Sequence, residues 1–183
     1  MPDSPLDDAL EAAAEGDPSA LRLLYETFAP AVVGYLRARG AREPDDLCSE
    51  VFLAVFPRLS TVSGGAAGLR TLLFSVAHAR LVDELRRRSR RGDTTPLDEL
   101  SDPRAAPSAE DEALSAYGVD TVRDVLGQLP PDQRDVLLLR LVGDLTVEQV
   151  AETMGKSAGA VKQLQRRGIS TLRARFARSG VPL

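Results

Sequence analysis

Between positions 19 and 59, hydrophobic residues recur at the three- and four-residue intervals of an amphipathic α-helix. Asp17 followed by Pro18 predicts where the first of these helices begins, because aspartate caps a helix start and proline fits its first turn. Gly40 predicts its end, and Pro44 with two following aspartates predicts the next start. The first hydrophobic series is Leu21, Leu24, Phe28 and Val32.

The segment 60–68 reads STVSGGAAG, and its glycines and small residues predict a loop. Helical spacing resumes at Leu69 and continues into an arginine run at 86–88. The pattern therefore predicts one helical unit over residues 19–91.

Residues 92–118 contain three prolines and seven acidic side chains, which predicts an extended, flexible linker. A second helical unit is predicted over 119–178, with tails at 1–18 and 179–183. Neither unit shows the alternation of apolar and polar residues that is typical of a β-strand. We therefore expect an all-α protein of two small helical domains, which the linker allows to reorient.

The segment from Asp144 onward has the features of a helix-turn-helix. Thr146 and Gln149 have the spacing of a capping box, Gly155 stands where a tight turn needs positive φ, and Ser157 can cap a second helix. A basic amphipathic hairpin could share this pattern, but generic hairpins seldom combine a capping box, the small Ala151 where two helices cross, a turn glycine and a second cap. A helix of this kind suits the major groove, where cations bind phosphates and glutamine reaches base edges. The polar residues on its outer faces are Lys162, Gln163, Arg166, Arg167, Ser170 and Arg173.

The net charge of −4 conceals two basic blocks in an acidic chain. Residues 63–91 carry seven basic and two acidic side chains, and residues 155–183 carry seven basic and no acidic ones. Either block alone could be a solvated helix face. Because local cationic patches determine DNA affinity, two blocks that each end a helical unit favour a nucleic-acid partner.

Composition excludes several classes of protein. No apolar run approaches the length of a membrane helix, and the first residues lack a signal-peptide pattern, so we expect a cytoplasmic protein without membrane insertion. One cysteine and one histidine leave no disulfide framework and no metal set, and no catalytic dyad is visible. Cys48 is expected to be a small buried hydrophobe. We therefore expect neither enzymatic activity nor a cofactor.

Two stretches, in order along the chain, resemble a known family. The second unit, through GQLPPDQRDVLLLRLVGDLTVEQVAETMGKSAGAVKQLQRRGISTLR, is similar to the fourth conserved region of extracytoplasmic-function (ECF) sigma factors of the sigma-70 class. The first unit resembles their second region through DDLCSEVFLAVFPRL and LRTLLFSVAHARLVDELRRRSRR. The resemblance covers about 135 residues.

The resemblance implies partners and residue roles. It implies core RNA polymerase, promoter DNA and an anti-sigma factor as partners. The recognition helix would read the minus-thirty-five element through Ser157, Lys162, Gln163, Arg166, Arg167 and Arg173. The loop 60–68 and the next helix would hold the non-template strand of the minus-ten element through Arg70, His78, Arg80, Asp83, Arg86 and Arg87. Polymerase would be bound by Asp46, Glu50, Leu126, Val136 and Leu139.

The chain departs from the family at some of these positions. Leu72 and Ala79 stand where tryptophan and asparagine are common, which affects the expected minus-ten contacts. The alternative is a free-standing helix-turn-helix regulator that binds operators without polymerase. Such a regulator would need a receiver or ligand-binding domain in place of the first unit, and no strand–helix alternation supports one.

Overall fold

The computed structural model describes residues 5–90 and 126–179, and every regular element within them is helical. This confirms the all-α prediction. A 3₁₀ helix, Phe56–Thr61, follows the third α-helix. The α-helices are α1 (Pro5–Ala14), α2 (Pro18–Ala38), α3 (Pro44–Val55), α4 (Gly65–Arg90), α5 (Pro131–Leu141), α6 (Val147–Met154) and α7 (Ala158–Ser179). The predicted linker 92–118 and the residues up to 125 lie outside the described residues.

The N-terminal segment is a helix and not the tail that we expected. Helix α1 buries Ala9, Leu10 and Ala13 against α2, α4 and the 3₁₀ helix. Its Asp7 carboxylate accepts a hydrogen bond from the backbone N–H of Ala66 at 2.7 Å. The cap on the first turn of α4 therefore comes from Asp7, a residue of another helix, and not from a residue just before α4.

Helices α2 and α3 begin where their caps and prolines predict. Asp17 accepts a hydrogen bond from the N–H of Ala20 at 2.7 Å, and Pro18 occupies the first turn of α2. Pro44 likewise opens α3. The two helices bury one face each, and the rings of Tyr25 in α2, Phe52 in α3 and Phe56 at the start of the 3₁₀ helix pack in series.

The predicted loop 60–68 is shorter than expected. The 3₁₀ helix extends to Thr61 and α4 begins at Gly65, so only residues 62–64 are irregular. Gly68 packs so closely that an added Cβ would stand 1.8 Å from the carbonyl oxygen of Ser63. The glycines therefore allow a tight turn into α4, whereas the sequence predicted an open loop.

The second unit contains the predicted helix-turn-helix. Thr146 and Gln149 form a reciprocal capping box at the start of α6, and Gly155 ends this helix with φ of 61°. The hydroxyl of Ser157 then accepts from the N–H of Ala160 at 3.2 Å and starts α7.

The two units pack against each other through one continuous hydrophobic cluster. Helix α4 contacts α6, and α2 contacts α5. An ideal Cβ at Gly143 would lie 3.2 Å from the ring of Phe74, so the backbone after α5 approaches the first unit closely. We expected the units to reorient independently, and in this structure they are joined.

Candidate nucleic-acid and polymerase surfaces

Helix α7 presents an exposed cationic face. Val161 and Gly168 turn inward, and Gly168 lies so close to Leu137 that an added Cβ would be 3.0 Å from it. This packing on α5 fixes which side of α7 faces outward. An open groove on that side carries no acidic side chain and is lined by Lys162, Gln165, Arg166, Arg167, Ile169, Ser170 and Arg173.

The residues predicted to bind the minus-thirty-five element lie together on α7 and the turn before it. Lys162, Gln163, Arg166, Arg167 and Arg173 are all exposed. Ser157 is exposed as well, but its hydroxyl accepts the capping hydrogen bond at the helix start. The arrangement can place cations on phosphates and an amide on a base edge, while Ser157 positions the helix.

Three arginines of α4 that were predicted to bind DNA contact acidic side chains or a backbone carbonyl. Arg80 binds Glu50 at 2.7 Å, and the guanidinium of Arg86 lies 3.9 Å from Asp83. Arg87 donates to the backbone carbonyl of Asp83 at 3.2 Å. Arg80 and Glu50, which the sequence assigned to different partners, are therefore paired with each other.

His78 does not face solvent, contrary to its predicted role as a DNA contact. Its side chain is buried, and its Nδ1 lies 2.8 Å from the hydroxyl of Tyr35. Burial raises the pKa of Tyr35, so the hydroxyl keeps its proton and donates to the imidazole. Burial also lowers the pKa of His78, which favours the neutral ring that can accept this bond.

An acidic face with an exposed leucine runs along α3. Asp46 and Glu50, the acids predicted to bind polymerase, are exposed, and Leu53 is 74% exposed one turn further on. Positions 46, 50 and 53 have the spacing of one helix face. Leu53 stands outside the buried series of α3, which is Cys48, Val51, Phe52 and Val55, so its spacing from Asp46 and Glu50 could have indicated it.

Leu126, Val136 and Leu139 do not form a polymerase-binding surface in this structure. Their exposed fractions are 4%, 0% and 0%, so they belong to the core of the second unit. The exposed apolar residue of α5 is Leu141, at 73%. The sequence of α5 could not distinguish these faces, because five of its last six residues are valine or leucine.

Four of the contacts between the two units are together called the seam. Arg39 donates from Nε and Nη2 to the two carboxylate oxygens of Asp135, and the second of these bonds is 3.1 Å long. Both side chains are buried. The complete seam consists of Arg39–Asp135, Arg70–Asp144, Ser75–Thr153 and the packing of Phe74 on Gly143.

Arg70, one of the residues predicted to contact the minus-ten element, is part of the seam. The guanidinium of Arg70 lies 3.1 Å from the Asp144 carboxylate and 5.6 Å from the centre of the Phe28 ring. Asp144 has φ of 51°, a left-handed conformation that aspartate tolerates better than most residues. The turn after α5 thus holds its carboxylate against α4 of the other unit.

The single cysteine has no reactive environment. Cys48 is fully buried on α3, and burial raises the pKa of its thiol to about 11. Across residues 5–90 and 126–179, no cluster of histidine, cysteine and acidic side chains has the geometry of a metal site. Within the same residues, no helix combines the length and apolar character needed to cross a membrane.

Comparison with known proteins assigns each unit to a family domain. The model described as Sigma-70 region 2 matches residues 24–91, and that described as Sigma-70, region 4 matches residues 125–174. The ECF RNA polymerase sigma factor SigD of Mycobacterium tuberculosis is 31% identical over 182 residues, covering 96% of this chain and 85% of its own. The chain belongs to the ECF family of RNA polymerase sigma factors.

Other relatives agree with this assignment. The ECF RNA polymerase sigma factor ShbA of Streptomyces griseus is 31% identical to this sigma factor over 172 residues, covering 88% of this chain and 90% of its own. Among solved structures, CnrH in complex with the cytosolic domain of CnrY matches with a TM-score of 0.65 and 20% identity. That match covers 96% of this sigma factor and 99% of the other chain. At this identity the likeness establishes a shared fold.

Proposed function

We propose that this sigma factor binds core RNA polymerase and selects promoters by their minus-ten and minus-thirty-five elements. It acts as a transcription initiation factor and not as an enzyme. The observation that carries the proposal is the exposed, acid-free face of α7 on a fully capped helix-turn-helix, in a chain whose other half matches sigma-70 region 2.

The second unit reads the minus-thirty-five element in the major groove, whose width admits an α-helix. Lys162 and Arg166 bind phosphates, and Gln163 reaches base edges from the same exposed side of α7. The capping box of α6 and the inward packing of Gly168 hold the helix in this orientation.

The first unit holds the unpaired minus-ten strand along α4. Arg80, Arg86 and Arg87 supply cations for its backbone. Arg80 is partly exposed and Glu50 is more so, and a surface ion pair of this kind contributes only about 0–1 kcal/mol. Strand binding can therefore withdraw Arg80 from Glu50 at little cost. His78 is left out of this surface because it is buried.

Polymerase binds the acidic face of α3. Asp46 and Glu50 meet basic groups of the polymerase clamp, and Leu53 adds an apolar anchor one turn beyond them. An exposed leucine beside charged side chains is compatible with an interface that combines apolar and polar contacts.

We also propose that an anti-sigma factor regulates this protein. CnrH was solved with the cytosolic domain of CnrY, and this sigma factor shares the fold of CnrH. The free-standing regulator is not favoured, because residues 24–91 match a sigma-factor domain and not a receiver or ligand-binding domain.

Run-off transcription tests the proposal. Purified core polymerase and pooled genomic fragments are incubated with and without the protein, and transcript starts are mapped. Discrete new start sites are the expected result. Leu53→Asp abolishes them together with polymerase co-elution, while Leu23→Asp, a matched change at a leucine 45% exposed on α2, preserves both. DNA binding without any association with polymerase would overturn the proposal.

A further inference from the structure

The turn at residues 62–64 borders the surface that is proposed to hold the minus-ten strand. It connects the 3₁₀ helix to α4, and Arg70 follows within the first two turns of α4. Ser63 and Gly64 are exposed at the turn. An unpaired base is bound most selectively by a site whose shape is fixed beforehand, because taking a base out of the stack is unfavourable.

A carboxylate from another helix holds the backbone next to this turn. Asp7 of α1 accepts a hydrogen bond from the N–H of Ala66 at 2.7 Å. The N–H of Gly68 donates to the carbonyl of Gly64 at 3.1 Å, which closes the first turn of α4. Ala66 lies between these two glycines, so the carboxylate fixes the segment that directly follows the turn.

Two glycines leave room for this arrangement. An ideal Cβ at Gly65 would collide with Oδ1 of Asp7, and Gly65 has φ of 62°, a conformation that glycine adopts readily. An added Cβ at Gly68 would collide with the carbonyl oxygen of Ser63. The carboxylate and the turn therefore occupy spaces that side chains at positions 65 and 68 would fill.

Helix α1 gives the carboxylate a fixed support. Ala9, Leu10 and Ala13 are no more than 7% exposed. Helix α1 contacts both the 3₁₀ helix and α4, which are the two elements that the turn connects. A carboxylate on a packed helix keeps its position, whereas one on an exposed tail would not.

We propose that Asp7 is a positioning residue for minus-ten recognition, whose hydrogen bond to Ala66 holds the turn 62–64 in the shape that receives an unpaired base. This inference rests on the proposed function, because it concerns the same minus-ten surface. Asp7 acts through the backbone and not by touching the strand, since a carboxylate repels phosphates. The bond needs an acceptor and not a charge, so asparagine at position 7 can replace aspartate.

Base discrimination by the holoenzyme tests the proposal. Run-off transcription is measured with core polymerase and the full-length protein on promoters that differ at single minus-ten positions. The ratio between the preferred and the substituted base is taken at each position. Asp7→Ala removes the acceptor, and Asp7→Asn keeps it. The matched control is Asp17→Ala, because Asp17 accepts a capping hydrogen bond of the same length, 2.7 Å, beyond the opposite end of α1.

Asp7→Ala should lower this ratio about fivefold or more at one or two minus-ten positions, the effect of losing one base contact. The minus-thirty-five preference should be unchanged. Asp7→Asn and Asp17→Ala should both keep the ratio of the parent protein. An unchanged ratio for Asp7→Ala would overturn the proposal. An equal loss for Asp17→Ala would also overturn it, because the effect would then come from reduced stability. If the parent protein discriminates no base at the minus-ten element, it is the proposed function that fails, and the inference fails with it.

Discussion

Arg39 binds both carboxylate oxygens of Asp135, a residue 96 positions further along the chain, in a site that buries both side chains. The guanidinium comes from the end of the second helix and the carboxylate from the first helix of the other unit. Removing one member of such a pair leaves an uncompensated charge in a buried site, which typically costs about 3–5 kcal/mol.

The first prediction is that Asp135→Asn opens the protein. The unpaired guanidinium of Arg39 regains water when the units separate, so the open form becomes favoured. Small-angle scattering should show a larger radius of gyration than that of the parent protein. Asp132→Asn, an exposed change on the same helix, serves as the control and should leave the radius unchanged. An unchanged radius for Asp135→Asn would show that the pair does not hold the units together.

The second prediction concerns pH. The buried environment of His78 lowers its pKa below the usual value near 6.5, so the unfolded chain takes up a proton before the folded protein does. The stability contributed by the neutral ring is therefore present above about pH 6.5 and is lost as the pH falls below that value. The charged groups that act on His78 from both units are Asp135, Arg39, Asp132 and Lys156.

Urea unfolding between about pH 7.5 and 5.5 checks this prediction, since that interval brackets the titration of a free imidazole. His78→Gln keeps an amide oxygen that can accept from the Tyr35 hydroxyl but cannot titrate. Because His78 is the only histidine, the variant should lose most of the fall in stability over this interval. An undiminished fall would show that other groups cause the pH dependence.

The third prediction concerns the cap that α1 provides to α4. Asp7→Ala removes the acceptor for the N–H of Ala66 and should lower the free energy of unfolding by about 1 kcal/mol. Asp8→Ala changes an exposed neighbour in the same turn and should have little effect. Equal unfolding midpoints in urea for Asp7→Ala and the parent protein would contradict the capping role.

The fourth prediction separates affinity from specificity on α7. Lys162→Ala should weaken binding evenly across duplex sequences and reduce the salt slope by about 1, because one phosphate contact is lost. Gln163→Ala should instead relax preference at one base pair, a discrimination of about 1–3 kcal/mol. Titrations at several salt concentrations with single-position variants of the promoter measure both effects. A uniform loss for Gln163→Ala would mean that this side chain does not reach a base.

The sequence predicted those features that depend on neighbouring residues. Thr146, Gln149, Gly155 and Ser157 form their caps and turn within a few positions of one another, so spacing alone was sufficient. The same holds for the start of α2 at Asp17.

Features that depend on distant residues were missed or misassigned. The sequence left His78 open as a DNA contact, a surface residue or a core residue of α4, and its partner Tyr35 lies 43 positions away in the chain. Helix α1 was read as a tail because its sequence is acidic and proline-flanked, and its buried face is short. The pairing of Arg39 with Asp135 leaves no local pattern at all, because the two residues are 96 positions apart.

The distance between the units, measured with and without core polymerase, tests the account most directly. Two promoter elements about 25 base pairs, or about 85 Å, apart cannot both be bound while the seam holds the units together. Dyes at Ser19→Cys and Glu148→Cys, two exposed positions on different units, report it by energy transfer, with Cys48 buried and unreactive. The account predicts high transfer in the free protein and low transfer once core polymerase and promoter DNA are added. Transcription that starts at discrete sites while the transfer efficiency stays unchanged would contradict it.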